Sequence, residues 1–147
     1  MKKTPLILAL IFFAFTACSP SPDEPVSSNE PPTSQTSDHI PSPGDSNLTR
    51  GLVYLDSVDL ITMESFPLQF MLVLKGSLPT PCNELRVAVS LPDLQNKITV
   101  DVYSVVDPIT ICVQVLEPFE ENVPLGSFPT GHYTLWVNGE QITEFDS

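Results

Sequence analysis

The stretch of sequence that decides the fold is FPTGHYTLWVNGEQITEF, residues 128–145. Its apolar side chains recur at every second position, which is the period of a β-strand with one buried face. These side chains are Tyr133, Leu135 and Val137. The pair Asn138-Gly139 follows directly and favours the type I′ turn of a two-residue β-hairpin. The stretch therefore predicts a strand over 132–137 and a second strand over 141–145.

Similar segments recur toward the N-terminus. Runs rich in Val, Ile, Leu and Thr are broken by Pro, Gly, Asn and Asp about every eight to twelve residues, without sustained helical periodicity. The other expected strands are 52–62 with a bend near Ser57, 68–75 in a central position, 85–90, 98–103 and 111–116. Leu85 and Val87 should face the core, with Arg86 on the side that faces solvent. We expect an all-β, antiparallel sandwich of about seven to eight strands over residues 50–147.

The segment from Phe128 to Val137 resembles the closing strand of many bacterial immunoglobulin-like domains. In those domains a Pro-x-Gly turn precedes Tyr-Thr and alternating apolar residues. The resemblance implies an immunoglobulin-like β-sandwich, in which a corner tyrosine, here Tyr133, hydrogen-bonds back to the loop backbone. It implies an architecture and no particular activity.

Two cysteines of the predicted domain, Cys82 and Cys112, lie beside or within different expected strands. Residues 1–18 have the features of an export signal, and an exported chain matures under oxidising conditions, so one disulfide between the two cysteines is the simplest expectation. A pair of reduced core or metal-binding thiols is the alternative. His39 lies in the expected linker and His132 is the only other histidine, so a Cys/His zinc site would lack ligands.

The first eighteen residues have the three-part plan of a secretory signal. Lys2 and Lys3 precede an apolar run that is too short for a bilayer span, which needs about 20 residues. The run ends in Phe15-Thr16-Ala17-Cys18, which resembles the lipobox of bacterial lipoproteins, with Phe in place of the usual Leu. The resemblance implies a signal peptide over 1–17, cleavage before Cys18, and a lipid anchor of diacylglyceryl and acyl chains on that cysteine.

Residues 18–49 are rich in Pro, Ser and Thr and contain no aromatic side chain. Such a segment buries too little apolar surface to offset its ordering entropy, so we expect a disordered linker between the lipidated cysteine and the domain. The domain should then face the extracytoplasmic side of the cell membrane or of an outer membrane.

The net charge of −12, from 6 basic and 18 acidic residues, disfavours contact with phosphate backbones and excludes nucleic acid as an expected partner. No nucleophile elbow, zinc-protease helix or phosphate-binding loop is present, and His132 alone does not make a catalytic site. We therefore expect a protein that is not an enzyme and that uses no cofactor and no resident metal.

The densest acidic group contains Glu117, Glu120 and Glu121. A solvated acidic loop is the simplest interpretation of this group, and a weak calcium site is the alternative.

Trp136 falls on the opposite parity from Tyr133 and Leu135. It could be a core tryptophan whose phase is restored by a bulge, which we prefer, or an exposed residue that stacks on a ligand. Pairing across the turn should place Trp136 opposite Gln141 and Leu135 opposite Ile142.

The functional hypothesis is a lipid-anchored, non-catalytic binding or accessory module at the cell envelope. Its partner would be an envelope protein or a glycan. One alternative is a carbohydrate or small-ligand binder that uses an exposed aromatic sheet face with Trp136 and Tyr133. The other is a protease-inhibitor-like or envelope assembly module that acts through loops 79–82 and 117–124.

Overall fold

The computed structural model describes residues 39–147 of the chain. The expected signal peptide, Cys18 and most of the expected linker lie outside the described residues. The described part contains one short 3-10 helix, Pro43–Asn47, and eight strands. The strands are β1 Thr49–Gly51, β2 Tyr54–Met63, β3 Gln69–Leu78, β4 Glu84–Val89, β5 Lys97–Val106, β6 Glu117–Gly126, β7 His132–Val137 and β8 Glu140–Asp146.

The strands form two sheets. The larger sheet contains β1, β4, β5, β7 and β8, and the smaller sheet has the order β2-β3-β6. In the larger sheet β5 pairs with β4 along one edge, and with β7 and β1 in succession along the other. The pair β5–β7 is parallel and the remaining pairs are antiparallel. The predicted all-β sandwich is confirmed, with this parallel pair as an addition to the expected antiparallel pattern.

The inner faces of both sheets form one hydrophobic core. Along β3, β5 and β7 every second side chain faces inward, so these three apolar strands provide most of the core. Its buried members are Leu72, Leu74, Val87, Ile98, Val100, Val102, Val123, Tyr133, Leu135 and Val137. The predicted central position of the strand that begins near residue 68 is confirmed, because β3 lies between β2 and β6.

The C-terminal hairpin forms as the local sequence predicts. Asn138 and Gly139 both have positive φ, 49° and 87°, which the type I′ turn requires. Trp136 pairs with Gln141 as expected, but Leu135 pairs with Thr143 rather than with Ile142. A bulge on β8 inserts the additional residue, so the expected Leu135–Ile142 pairing is wrong.

The corner tyrosine is also confirmed. The hydroxyl of Tyr133 donates a hydrogen bond of 2.8 Å to the carbonyl oxygen of Pro129, four residues earlier. The Tyr133 ring lies 5.2 Å from the Phe128 ring and 5.5 Å from the Phe145 ring, measured between centroids. Phe70 joins this cluster through its own contacts with Phe128 and Phe145. This cluster closes one end of the sandwich.

The expected bend in the first long strand is present as a register shift between Leu55 and Ser57 in the pairing of β2 with β3. Opposite the shift lies Gly76, where an added Cβ would overlap the carbonyl oxygen of Tyr54. The absence of a side chain at Gly76 therefore permits the close approach of the two backbones.

The expected strand over 111–116 is wrong. These residues form no regular secondary structure, and the strand begins at Glu117, where an acidic loop was expected. Strand β6 is an edge strand, and Pro118 and Pro124 share one parity along it. Their missing N–H groups can therefore both lie on the unpaired edge, where proline and charged residues are tolerated.

The expected boundary between linker and domain at residue 49 is also wrong for residues 39–49. His39 is buried, residues 43–47 form the 3-10 helix, and Thr49 begins β1. Arg86, expected on the solvent-facing side of β4, is only 6% exposed because the 3-10 helix covers it. The ordered domain thus includes eleven residues that composition alone assigned to the linker.

Candidate functional site

Two connections cross from one sheet to the other at the same end of the sandwich. Residues 79–83 lead from β3 to β4, and residues 107–116 lead from β5 to β6. Cys82 in the first connection and Cys112 in the second form a disulfide, with 6.0 Å between their Cα atoms. The predicted disulfide is therefore confirmed, and it joins the two connections rather than two strands.

A buried polar network fixes the first connection. The Thr80 hydroxyl donates to the Asn83 side chain at 2.7 Å, and the Asn83 amide donates to the Ser104 hydroxyl at 3.2 Å. The Ser104 hydroxyl in turn donates to the carbonyl oxygen of Leu52 at 2.9 Å. A fully satisfied buried network of this kind rigidifies its surroundings, so Cys82 is a firm attachment point for Cys112.

The second connection, residues 107–116, is called the docking segment below. It begins with a turn in which the Asp107 side chain accepts the Ile109 N–H at 3.0 Å and the Asp107 carbonyl accepts the Thr110 N–H at 3.1 Å. Five of its side chains are large, apolar and 56% to 99% exposed. They are Ile109, Ile111, Val113, Val115 and Leu116. Exposed apolar patches are a feature of many interaction sites, so this run is the candidate functional surface.

Acidic residues stand at both ends of the docking segment. Asp107 and Glu117 are exposed, and neither takes part in an ion pair within residues 39–147. The four cationic side chains of the described chain are engaged elsewhere. Arg50 pairs with Asp101, Lys75 with Glu120, Arg86 with Asp45 and Glu84, and Lys97 lies over the Trp136 ring. The docking segment is therefore an apolar surface with an acidic border.

The acidic residues singled out in the sequence are separated by the strand that contains them. Glu120 pairs with Lys75 at 3.1 Å, whereas Glu121 contacts Nδ1 of His39 at 3.1 Å. Consecutive side chains of a strand point to opposite faces, so Glu120 and Glu121 do not converge on a shared cation. Within residues 39–147, no group of three or more His, Cys, Asp or Glu side chains is arranged to hold a metal ion.

Trp136 lies on the outer face of the larger sheet, so the preferred core position is wrong. The bulge that would have restored its phase is on β8, opposite, and leaves β7 in strict alternation. The ammonium group of Lys97 lies 4.0 Å from the ring centroid, and the indole N–H donates to the Thr134 hydroxyl at 3.3 Å. Tyr133 is in the core. The two aromatic residues thus lie on opposite faces and form no common stacking platform.

His132 is exposed at the start of β7, between two carboxylates of β8. Its Nδ1 lies 2.8 Å from Asp146 and its Nε2 lies 3.3 Å from Glu144. The hydrogen bond to Asp146, followed by the hydrogen bond to Glu144, raises the pKa of His132 above its usual value of 6.5. Both ring nitrogens are engaged, so His132 links the start of β7 to two carboxylates of β8.

The contacts of His132 with Asp146 and Glu144 lead us to expect that stability declines with rising pH. A raised folded-state pKa means that the contribution is complete below pH 6.5 and is lost as the pH rises through the folded-state pKa. We expect the melting temperature of the wild-type protein to fall between about pH 6 and pH 9, and His132→Gln to remove that fall. Thermal melts across this range measure it, with Glu140→Gln as a control. An identical pH profile for wild type and His132→Gln would contradict the assignment.

An apolar groove of about 400 Å³ lies at the seam between the edge strands β4 and β6. Its lining consists of His39, Ile40, Pro41, Val87, Ala88, Val89, Val123 and Pro124. The N–H of Val87 donates to the His39 carbonyl at 2.8 Å, so residue 39 already pairs with the free edge of β4. The groove is therefore part of the seam between β4 and β6 that residues 39–41 cover.

Among residues 39–147, no helix is long and apolar enough to cross a membrane.

The sequence identified Cys82 and Cys112 but not the surface that they support. The alternation of Ile109, Ile111, Val113 and Val115 has the pattern of a strand and was interpreted as one. Cys112 within the run gives no signal against a strand, because immunoglobulin-type disulfides join strands, so periodicity alone could not reveal the exposed surface.

Comparison with known proteins agrees with the observed architecture. Neither the curated proteins nor the solved structures contain a match to the chain. The model of one protein family, described as the ORF11 beta-sandwich domain, matches residues 72–147, from within β3 to the C-terminus. Because this match covers more than half of the chain, the protein belongs to the ORF11 beta-sandwich domain family.

Proposed function

We propose that this protein is a lipid-anchored, non-catalytic module of the cell envelope that docks a partner protein through residues 107–116. The resemblance of Phe15-Thr16-Ala17-Cys18 to a lipobox supports the anchor. The exposure of the docking segment carries the proposed binding role. The expected extracytoplasmic location is consistent with a disulfide in the domain.

The energetic argument for docking rests on five apolar side chains. Complete burial of one Val, Leu or Ile side chain stabilises a complex by about 1.5 to 3 kcal/mol. The five side chains are more than half exposed in the folded chain, so their burial by a partner would provide most of this free energy. Because the disulfide holds the middle of the segment, less conformational entropy is lost on binding.

A carbohydrate site on the outer sheet face has less support. A stacking platform needs open ring faces, and Lys97 lies over the Trp136 ring. The loop alternative agrees better with the geometry in one respect, because residues 79–82 belong to the disulfide-linked end of the sandwich. Its second loop, 117–124, lies in β6 and is paired with β3.

The proposal is tested in source cells by photo-crosslinking at single positions of the full-length chain. A photoreactive residue replaces Ile111 in one strain and Leu94 in a control strain. Both side chains are almost fully exposed, at 99% and 98%, but Leu94 lies in the β4–β5 connection at the opposite end of the sandwich. We expect a discrete protein adduct in the envelope fraction from position 111 and none from position 94.

Two results would contradict the proposed function. Equal adducts from both positions would mean random collision, and no adduct from position 111 would mean that the docking segment has no protein partner. A Cys18→Ser variant serves as the test of the anchor, because the lipoprotein hypothesis expects it to leave the detergent phase.

A further inference from the structure

The chemistry of the docking segment defines the partner more narrowly. We infer that the partner contributes an extended polypeptide strand with an apolar centre and basic residues on both flanks. This inference rests on the proposed function, since it concerns the same surface. It is carried by two observations, which are the unpaired backbone of the segment and the uncompensated carboxylates at its ends.

The backbone of residues 111–116 is available for pairing. Within residues 39–147, none of its N–H or C=O groups forms a hydrogen bond with another backbone group, and the Cys112 carbonyl accepts only a local bond of 3.2 Å from the Gln114 side-chain amide. The residue types Ile111, Val113 and Val115 strongly favour strands, yet the segment forms none in the isolated chain. Addition of a partner strand would satisfy these backbone groups and would cover the apolar side chains, which is a common mode of peptide recognition.

The carboxylates at the two ends of the docking segment indicate which kind of partner strand would bind. Residues 108–116 contain no titratable side chain apart from the disulfide-bonded Cys112, and the segment is bordered by Asp107 and Glu117. With all four Lys and Arg side chains of the described chain engaged elsewhere, these carboxylates have no internal counter-charge. A partner with basic flanks supplies it, which increases the association rate and fixes the register.

The same charges disfavour a second copy of this chain. Asp107 and Glu117 lie five residues on either side of Cys112. Antiparallel, two-fold pairing of two docking segments about Cys112 would place Asp107 of one copy opposite Glu117 of the other. Like charges directly opposite each other in a strand pair are destabilising. The net charge of −12 adds long-range repulsion between copies and from anionic lipid.

The test selects peptide strands without assuming a sequence. A display library of random twelve-residue peptides is enriched on the full-length chain in mild detergent, without prior selection against any variant of the chain. We expect the enriched peptides to alternate β-branched or aromatic residues in the centre and to have Lys or Arg at both ends. A representative peptide should lose about tenfold or more in affinity for an Ile111→Asp/Val113→Asp double variant.

Matched variants separate the charge from the apolar contact. Asp107→Asn/Glu117→Gln should weaken the selected peptide severalfold and flatten the salt dependence of its binding. Two control pairs, exposed away from the docking segment, should leave binding unchanged. They are Leu91→Asp/Leu94→Asp for the apolar contact and Glu64→Gln/Glu140→Gln for the charge.

The inference is overturned by any of four outcomes. These are neutral or acidic enriched peptides, no enrichment, a wild-type dimer in sedimentation velocity that Ile111→Asp dissociates, or vesicle binding that Ile111→Asp abolishes. Position-specific crosslinks at 111 combined with any of these results would leave the proposed docking role intact and reject only the basic strand. Absence of those crosslinks would reject the docking role itself.

Discussion

Replacement of Cys82 and Cys112 together by alanine should lower the free energy of unfolding by about 3 to 4 kcal/mol. The disulfide closes a loop with a sequence separation of 30, and the chain-entropy model assigns roughly this stabilisation to a loop of that length. For a domain of this size, the loss corresponds to a fall in melting temperature of roughly 15 to 25 °C. Calorimetry on the oxidised wild type and the double variant measures the difference.

Reductant provides the matched control for this prediction. Wild type melted in excess reductant should approach the double variant, whereas the double variant should not respond to reductant. The binding of a selected peptide should also weaken in the double variant at temperatures where the sandwich is folded, because Cys112 then no longer holds the docking segment. A double variant that melts within about 3 °C of the oxidised wild type would show that the disulfide contributes little.

The parts of the fold that sequence predicts well are those with a local cause. Asn138-Gly139 determines the turn between β7 and β8 because the backbone of these two residues suits it. The hydrogen bond from Tyr133 to Pro129 spans only four residues. Both features could be predicted without knowledge of the rest of the chain.

The wrong assignments arose where topology overrides propensity. Residues 111–116 have strong β-propensity, but they connect β5 of one sheet to β6 of the other and are joined at Cys112 to a second crossing. Residues 117–126 have two prolines and three glutamates, yet they pair with β3 as an edge strand. Which segment crosses and which one pairs depends on contacts distant in sequence, which periodicity does not contain.

The candidate site was predicted only in part, chiefly through its two cysteines. Their pairing follows from their number and the exported context, but the exposure of Ile109 and Ile111 follows from the route of the chain between the sheets. The acidic border of the docking segment was also predicted only in part. The sequence groups Glu117, Glu120 and Glu121 together, but in the folded strand Glu120 pairs with Lys75 and Glu121 with His39, which leaves Glu117 at the border.

A buried ion pair between Arg86 and Asp45 links the segment before β1 to β4. Arg86 holds Asp45 through two hydrogen bonds of 2.9 and 3.0 Å, and its side chain is 8% exposed. Asp45 also accepts the backbone N–H of Ser42 and thereby caps the 3-10 helix. The bond from Arg86, followed by the bond from Ser42, lowers the pKa of Asp45. Its contribution is therefore present above about pH 3.8 and is lost as the pH falls through the folded-state pKa.

We expect Arg86→Met to lower the free energy of unfolding by about 2 to 3 kcal/mol, at or just below the lower end of the range for breaking a buried ion pair, because Asp45 retains some contact with water. Asp45→Asn should also destabilise the protein, and the double variant should lose less than the sum of the single losses because the two side chains interact. In hydrogen exchange, the amide of Val87, which donates to His39, should lose its protection in each variant. Strictly additive losses, or an unchanged Val87 amide, would mean that residues 39–48 are held by contacts other than this ion pair.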